Sequence, residues 1–307
     1  MSAGIETDIN KKTGLNRVKA KNRIIPWLFV LPGILFTFIF RYYTMFQSFW
    51  ISLHHYDIAK PPGKFIGFAN YTGLLKNPDF WNAWENTLAF AALILLLTFL
   101  VPLIQAIFLS EVTKGRGIFS TLYLVPAVIP LSVTVIIWKW IFNPNYGLAN
   151  YILKVVGVSA KTWYSDPDLV KISIVIPMMI GGGFGVLLYL SAIQGISGDI
   201  VEAAQIDGCT GFKKLFYITL PNISFLIFIQ LILSVIGALQ ILDPVIQFSR
   251  GGPNGASTSI AFSIYDFIGG NQHVPVYGRA TAAAFMLLIF ITLLTVLQMR
   301  LDKSEKD

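Results

Sequence analysis

The stretch EAAQIDGCTGFKKLFYITLP, residues 202–221, separates two long apolar segments of the chain and is itself mostly polar. Its first residues favour a short helix, and Gly208 predicts where that helix ends. Asp199 lies three positions before Glu202, a spacing that predicts a capping box at the helix N-terminus. The two alanines after Glu202 have small side chains, so another protein can approach the helix backbone closely there. We therefore expect this loop to be a docking surface.

Residues 202–221 resemble the cytoplasmic EAA loop of permease subunits in binding-protein-dependent ABC importers, and the name EAA loop is used for them. The matching positions are Glu202-Ala203-Ala204, Gly208 and Ile218-x-Leu220-Pro221. The resemblance implies that an ATPase subunit docks on Glu202, Ala203, Ala204, Asp207, Gly208 and Phe212. Phe212 and Phe216 are four residues apart and are expected to share one face of a second short helix. On the residues alone, the alternative is that Glu202 only caps its own helix and Gly208 only ends it.

Hydrophobic residues make up 55% of the chain and charged residues 13%, whereas an ordinary globular domain carries about 25% charged residues. This composition indicates a membrane protein. Six apolar stretches have the roughly 20 residues that a membrane-spanning helix needs: residues 25–52, 86–110, 118–142, 170–194, 221–243 and 279–300. We therefore expect an all-α bundle of six spans. The transmembrane permease domain is predicted at residues 25–301, its coupling loop at 195–221, a basic tail at 1–24 and a short tail at 302–307.

Lys and Arg residues are unequally distributed between the two ends of the predicted bundle, which predicts its orientation. An even number of spans places both termini and the EAA loop on one side. That side carries thirteen of these residues: Lys11, Lys12, Arg17, Lys19, Lys21, Arg23, Lys114, Arg116, Lys213, Lys214, Arg300, Lys303 and Lys306. The opposite loops carry six: Lys60, Lys64, Lys76, Lys154, Lys161 and Arg250. Both termini are therefore expected to be cytoplasmic. The net charge of +7 follows largely from this asymmetry, so nucleic-acid binding is not expected.

Further stretches resemble the sugar-importer branch of the same family, in its first-permease type. After the first span the matching residues are Gly67, Asn70, Tyr71, Leu74, Leu75, Pro78, Phe80, Trp81, Asn86 and Thr87. Later matches are Gly251-Gly252-Pro253 and the Tyr277-Gly278 opening of the last span, with Ala280 and Ala282. The resemblance implies a heterodimer with a second permease subunit in the lipid of the cell membrane. It also implies two ATP-binding subunits, an extracytoplasmic solute-binding protein and a carbohydrate substrate, with glycerol phosphate as an alternative substrate.

Residues for catalysis or metal binding are not apparent in the sequence. It contains no phosphate-binding Gly-x-x-x-x-Gly-Lys-Ser/Thr motif, so ATP hydrolysis must belong to a partner. His54, His55 and His273 are expected on the external surface, without a Cys or carboxylate cluster at ligand spacing. The single cysteine, Cys209, is expected to be a small packing residue. We therefore expect no catalytic residue, no metal, no cofactor and no enzymatic activity.

A polar face on the fifth predicted span is the candidate substrate pathway. Gln230, Ser234 and Gly237 follow helical spacing, and Gln240 and Asp243 are expected to continue this face toward the outer end. Because lipid leaves hydrogen bonds unmade, such a face contacts protein or water. Two interpretations stay open: a pathway wall that recognises sugar hydroxyl groups, or packing against the second subunit.

Other residues within the predicted spans also have two interpretations. The glycines of the fourth span favour close helix packing over a pathway role: Gly181, Gly182, Gly183 and Gly185. Lys139 is expected to extend to the interface, whereas Arg41 is expected at a partner's acidic residue, at the external entrance or at the surface. An ion-coupled secondary transporter or channel is the alternative function. It predicts inverted repeats and paired intramembrane carboxylates, which the sequence lacks.

Overall fold

The computed structural model describes residues 26–56, 61, 63–112, 114–270 and 276–304, and these residues form an all-α fold, as predicted. The basic tail predicted at residues 1–24 lies outside the described residues. In chain order the helices are α1 (Pro26–Ser52), α2 (Ala69–Leu75), α3 (Pro78–Glu111), α4 (Arg116–Val128), α5 (Leu131–Ile141), α6 (Leu148–Val155), α7 (Val170–Ile180), α8 (Gly183–Gln194), α9 (Gly198–Ile206), α10 (Phe212–Leu239), α11 (Asp243–Phe248), α12 (Ile260–Phe267) and α13 (Tyr277–Ser304). After α1 the chain forms a short antiparallel pair, β1 (His54–His55) with β2 (Lys64–Phe65).

Within the described residues, four helices are long and apolar enough to cross a membrane: α1, α3, α10 and α13. Two bent pairs bring the number to six if each pair is one span: α4 with α5, bent by 97°, and α7 with α8, bent by 48°. The spans predicted at 118–142 and 170–194 are therefore not straight helices. Pro130 explains the larger bend, because the residue before a proline disfavours helical backbone and Ile129 is extended.

Two hydrophobic clusters divide the bundle along its length. The EAA-end cluster joins α3, α8 and the start of α10 next to the EAA loop: Phe99, Leu103, Ala106, Leu109, Val186, Tyr189, Leu190 and Ile223. The far-end cluster fills the middle and the opposite end and includes Phe90, Ile174, Leu239, Val245 and Ile260. In α3 the π-helical segment Leu95–Leu100 lies where the two clusters meet, since Ile94 belongs to the far-end cluster and Phe99 to the EAA-end cluster. A π-helical segment is a local irregularity that is frequent at functional sites.

Small residues bring helices α4, α3 and α8 into close contact. A Cβ on Gly183 would overlap the backbone carbonyl of Tyr123 in α4, and one on Gly185 would lie 3.4 Å from the Cβ of Pro102 in α3. These two glycines therefore serve close helix packing, as predicted. At Gly181, an added Cβ would meet only carbonyl groups of the preceding helix, α7.

Candidate coupling loop and polar path

Helix α9 contains the first part of the EAA loop, and its N-terminus differs from the prediction. The N-cap residue is Ser197, without a side-chain hydrogen bond, and Asp199 lies within the first turn. The predicted capping box between Asp199 and Glu202 is therefore wrong, because the helix begins before Asp199. The Asp199 carboxylate instead carries negative charge near the positive end of the helix dipole.

The C-terminus of α9 ends as predicted at Gly208, which has a positive φ of 74°. The amide of Gly208 donates to the carbonyl of Gln205 at 3.0 Å, and the amide of Cys209 donates to the carbonyl of Ala204 at 2.8 Å. These two hydrogen bonds form a Schellman motif, which requires a left-handed residue that glycine adopts without strain. Cys209 is half-buried next to this turn, in agreement with a packing role.

The surface of the EAA loop is largely open. Of the predicted coupling residues, Ala204 is buried, whereas Glu202, Ala203, Asp207, Gly208 and Phe212 are exposed. The exposed fraction of the side chain is 87% for Ile206, 81% for Phe212 and 61% for Phe216. The sequence did not indicate Ile206 or the nearby Tyr217, which is 73% exposed. The loop thus presents an apolar surface with a carboxylate beside it, as a docking surface requires.

An ion pair joins the EAA loop to α3. The Nζ atom of Lys214 lies 3.0 Å from the Oε1 atom of Glu111, the last residue of α3. Nearby, the guanidinium of Arg116 donates to the carbonyl groups of Ser110 and Val112 and so caps the end of α3. This link could not be predicted from sequence spacing, because its two members are 103 residues apart.

The predicted polar face lies on α10 only in part. Gln230 and Ser234 are half-buried, whereas Gly237 and Gln240 are exposed. Asp243 does not continue this face, because α10 ends at Leu239 and Asp243 begins a separate helix with Pro244. Within the described residues, the side chains of Gln230, Ser234, Gln240 and Asp243 show no hydrogen bond. At about 100° per residue, Gln230 and Ser234 lie roughly 60° and 100° to one side of Leu233, which is 57% exposed on the open face of α10.

At the far end, the loop 249–259, named the Gly-Gly-Pro loop, is braced against α3. The Nδ2 atom of Asn86 donates to the carbonyls of Gly255 and Thr258 at 2.8 and 3.1 Å. The Oγ1 atom of Thr87 accepts a hydrogen bond from the amide of Ile260, and Ser257 donates to the carbonyl of Gly252. A cavity of about 490 Å³ lies under the loop and is lined by polar residues that include Asp79, Asn82, Arg250, Asn254 and Asp266.

Within the described ranges, the histidine and charged residues elsewhere do not form a metal site. Among the described residues, no group of three His, Cys, Asp or Glu side chains is placed to hold a metal ion. The prediction that His54 lies at the surface is wrong. This residue is buried, and its Nδ1 atom lies 2.7 Å from the carbonyl oxygen of Trp50. His55 is exposed, and His273 lies outside the described residues. Arg41 is exposed, and Lys139 donates to the carbonyl of Gln247 at 2.9 Å.

Comparison with known proteins gives consistent matches over most of the chain. Residues 103–307 match the family model described as the inner membrane component of binding-protein-dependent transport systems. The trehalose/maltose transport system permease protein MalF of Thermococcus litoralis is 30% identical, with 95% of this chain and 98% of that protein covered. The lactose transport system permease protein LacF of Rhizobium radiobacter is 29% identical, with 91% and 94% covered.

Two further comparisons concern a phosphorylated substrate and a solved structure. The sn-glycerol-3-phosphate transport system permease protein UgpA of Salmonella choleraesuis is 27% identical, with 93% of this chain and 96% of that protein covered. A chain in the crystal structure of a bacterial ABC transporter that imports the polysaccharide alginate superposes with a TM-score of 0.81 at 24% identity, with 93% of this chain and 97% of that chain covered. The same fold is thus present in both chains.

Proposed function

Because the chain belongs to the inner membrane components of binding-protein-dependent transport systems, we propose that it is a permease subunit of an ATP-driven carbohydrate importer. Membership of this family makes it a multi-pass membrane permease rather than an enzyme, and it replaces the ion-coupled transporter as an interpretation. The importer would contain a second permease subunit, two ATP-binding subunits and an extracytoplasmic solute-binding protein. Both termini and the EAA loop would be cytoplasmic, in agreement with the excess of Lys and Arg on that side.

The surface of α9 supports a coupling role. Its exposed side carries Glu202 and Ile206, and Phe212 continues the apolar surface beyond the turn. The Schellman turn at Gly208 fixes the direction in which the chain leaves the helix. A docked ATPase would therefore displace α9 as a rigid unit. The Lys214–Glu111 ion pair would carry this displacement to α3.

The division into two hydrophobic clusters supports movement of the EAA end as one body. Helix α8 leads directly into α9 and packs with the inner part of α3 in the EAA-end cluster. The π-helical segment Leu95–Leu100 in α3 and the break at Gly181–Gly182 between α7 and α8 separate this cluster from the far-end cluster. Such irregular segments absorb changes of backbone angle more readily than a regular helix does. Closure of the ATPases would thus switch access between the two sides of the membrane.

The character of α10 favours a carbohydrate over glycerol phosphate. Gln230, Ser234 and Gln240 offer neutral hydrogen-bonding groups that suit sugar hydroxyls, and we propose that they line the pathway. Asp243, which lies beyond the end of α10, would contribute at the outer entrance. The segment Ser224–Leu239 contains no Lys or Arg, whereas a phosphate is normally held by such cations. The names of the relatives include sugars in two cases and glycerol phosphate in one.

The exposed surface beside Glu202 carries this proposal, and reversal of its charge tests it. Glu202→Lys should insert in the membrane normally but lose substrate uptake, because it repels a basic partner and disturbs α9. The matched control is Asp168→Lys, an exposed carboxylate at the far end. Uptake would be measured in vesicles that contain the assembled importer, in which the charge in the second permease's EAA loop is reversed as well. Normal uptake in this double variant would contradict the coupling role.

A further inference from the structure

A groove between α3 and α13 opens on the outside of the bundle and has a volume of about 500 Å³. This volume lies in the range of ligand pockets. Trp84 and Phe290 pack edge to face across the groove, with ring centroids 4.9 Å apart. The lining consists of Trp81, Trp84, Glu85, Leu88, Met286, Ile289, Phe290 and Leu293. The groove is thus apolar except for one carboxylate and the indole nitrogens.

The polar groups of the groove lie at its far end. Both helices begin at the far end, so depth along each follows from residue number at about 1.5 Å per residue, and the contact between Trp84 and Phe290 sets these two residues level. On this scale Trp81 and Glu85 lie roughly 5 and 10 Å from the start of α3. Leu293 lies roughly 5 Å deeper than Phe290 and therefore only roughly 3 Å deeper than Glu85. Along α3 the lining therefore changes from polar to apolar with depth, from Trp81 and Glu85 to Leu88, whereas the α13 side is apolar throughout.

Trp81 is anchored at the polar end of the groove. Its Nε1 atom donates to the carbonyl of Leu75, at the end of α2, at 2.9 Å. Tryptophan side chains commonly occupy the headgroup level of a membrane. The indole ring is therefore held beside Glu85, at the depth where a lipid headgroup would lie.

Glu85 gives the groove a negative charge without a partner. Its side chain is exposed and forms no ion pair with any described residue. The ion pair observed among the described residues joins Lys214 and Glu111, at the EAA end of the bundle. A carboxylate beside apolar surface is stabilised by a cation at close range. Aromatic faces also attract cations, tryptophan most strongly. The charge and the aromatic rings thus favour the same kind of ligand group.

We propose that this groove binds a phospholipid whose headgroup carries a primary ammonium group, as in phosphatidylethanolamine. The ammonium group lies between Glu85 and the indole rings, and an acyl chain follows Leu88 and Leu293 toward the middle of the bilayer. A helix of the second permease is the competing occupant. The unpaired carboxylate of Glu85 beside this apolar surface favours the lipid, because a lipid joins one cation to a long apolar chain.

Fluorescence quenching by brominated lipids tests the proposal. The assembled importer is reconstituted in vesicles with a small fraction of a dibromostearoyl lipid that carries an ethanolamine, choline or glycerol headgroup. The chain has 7 Trp residues, so the signal of Trp84 is taken as the difference between the wild type and Trp84→Phe. The brominated ethanolamine lipid should quench this signal at a roughly threefold lower mole fraction than the glycerol lipid.

Charge variants separate a headgroup site from general lipid contact. Glu85→Gln keeps the shape of the side chain and should remove the preference for ethanolamine. Asp79→Asn is the control, because Asp79 lies in the same helix but lines the cavity under the Gly-Gly-Pro loop instead. Equal quenching by all three lipids in the wild type overturns the proposal. The proposal is also overturned if brominated lipid quenches the Trp84 signal in the isolated chain but not in the assembled importer, because a helix of the second permease then fills the groove.

Discussion

Replacement of Gly208 by valine should open the turn that ends α9. An added Cβ at Gly208 has no atom within 4 Å, so the cost comes from backbone conformation rather than from a clash. The positive φ of 74° costs a residue with a Cβ about 1–2 kcal/mol. Because glycine bears no such cost, the variant should shift the equilibrium between closed and open turn by roughly 5- to 30-fold.

The single cysteine of the chain reports this opening directly. Cys209 is half-buried, and in the closed turn its amide donates to the carbonyl of Ala204. We expect its reaction with N-ethylmaleimide to become up to roughly 5- to 30-fold faster in Gly208→Val, because labelling follows the population of the open turn when closing is faster than the reaction. Gly208→Asn should show a smaller increase, because asparagine adopts left-handed backbone more readily than valine does. Loss of ATPase co-purification should follow the same order.

Gly198→Ala is the matched control for this measurement. Gly198 begins the same helix, has open space around an added Cβ and does not have a positive φ. Alanine there should leave the labelling rate unchanged. If Gly208→Val reacts at the wild-type rate while the helix remains folded, the turn does not depend on its glycine and the reasoning fails.

Two further predictions concern the polar path and the ion pair. In a cysteine-free background, cysteines at Gln230 and Ser234 should react with a small aqueous thiol reagent, and added substrate should change their rates. A cysteine at the buried Ala238 should react slowly. Equal rates at all three positions would favour packing against the second subunit. Reversal of the charge of either Glu111 or Lys214 should lower the stability by less than about 1 kcal/mol, since Glu111 is 69% exposed. Each single reversal should nevertheless raise the amount of ATP consumed per substrate molecule transported. The double reversal should restore this ratio, and a ratio that stays at the wild-type value in both single variants would show that the pair does not transmit motion.

Local features of the EAA loop differed in how well the sequence predicted them. The end of α9 was predictable because glycine is strongly favoured where the backbone is left-handed, as at Gly208. The start was not, because Ser197 and Asp199 are both good N-cap residues and neighbouring sequence does not choose between them. The exposure of Ile206 depends on the position of α9 in the bundle, which periodicity within a nine-residue helix does not determine.

Composition predicted the positions of the spans but not their shapes. Apolar length identifies a segment that can cross the membrane, whereas the 97° bend between α4 and α5 depends on backbone geometry near Pro130. The end of α10 at Leu239 likewise removed Asp243 from the predicted polar face. His54 was expected at the surface because it follows the first predicted span on the external side, without a Cys or carboxylate cluster at ligand spacing. Its burial follows from packing beside Trp50 and Phe65, which sequence spacing does not reveal.

Helix α3 explains how the two ends of this chain can be connected and yet move separately. At the far end Asn86 holds the Gly-Gly-Pro loop, and at the other end Glu111 binds Lys214 of the EAA loop. A uniform helix would transmit any displacement between these contacts along its whole length. The π-helical segment Leu95–Leu100 interrupts α3 where the clusters meet, and Pro102 lacks the amide that would donate to a carbonyl of the preceding turn. Displacement of the EAA end would therefore bend α3 near its middle, where the proposed path along α10 packs against it through Leu231.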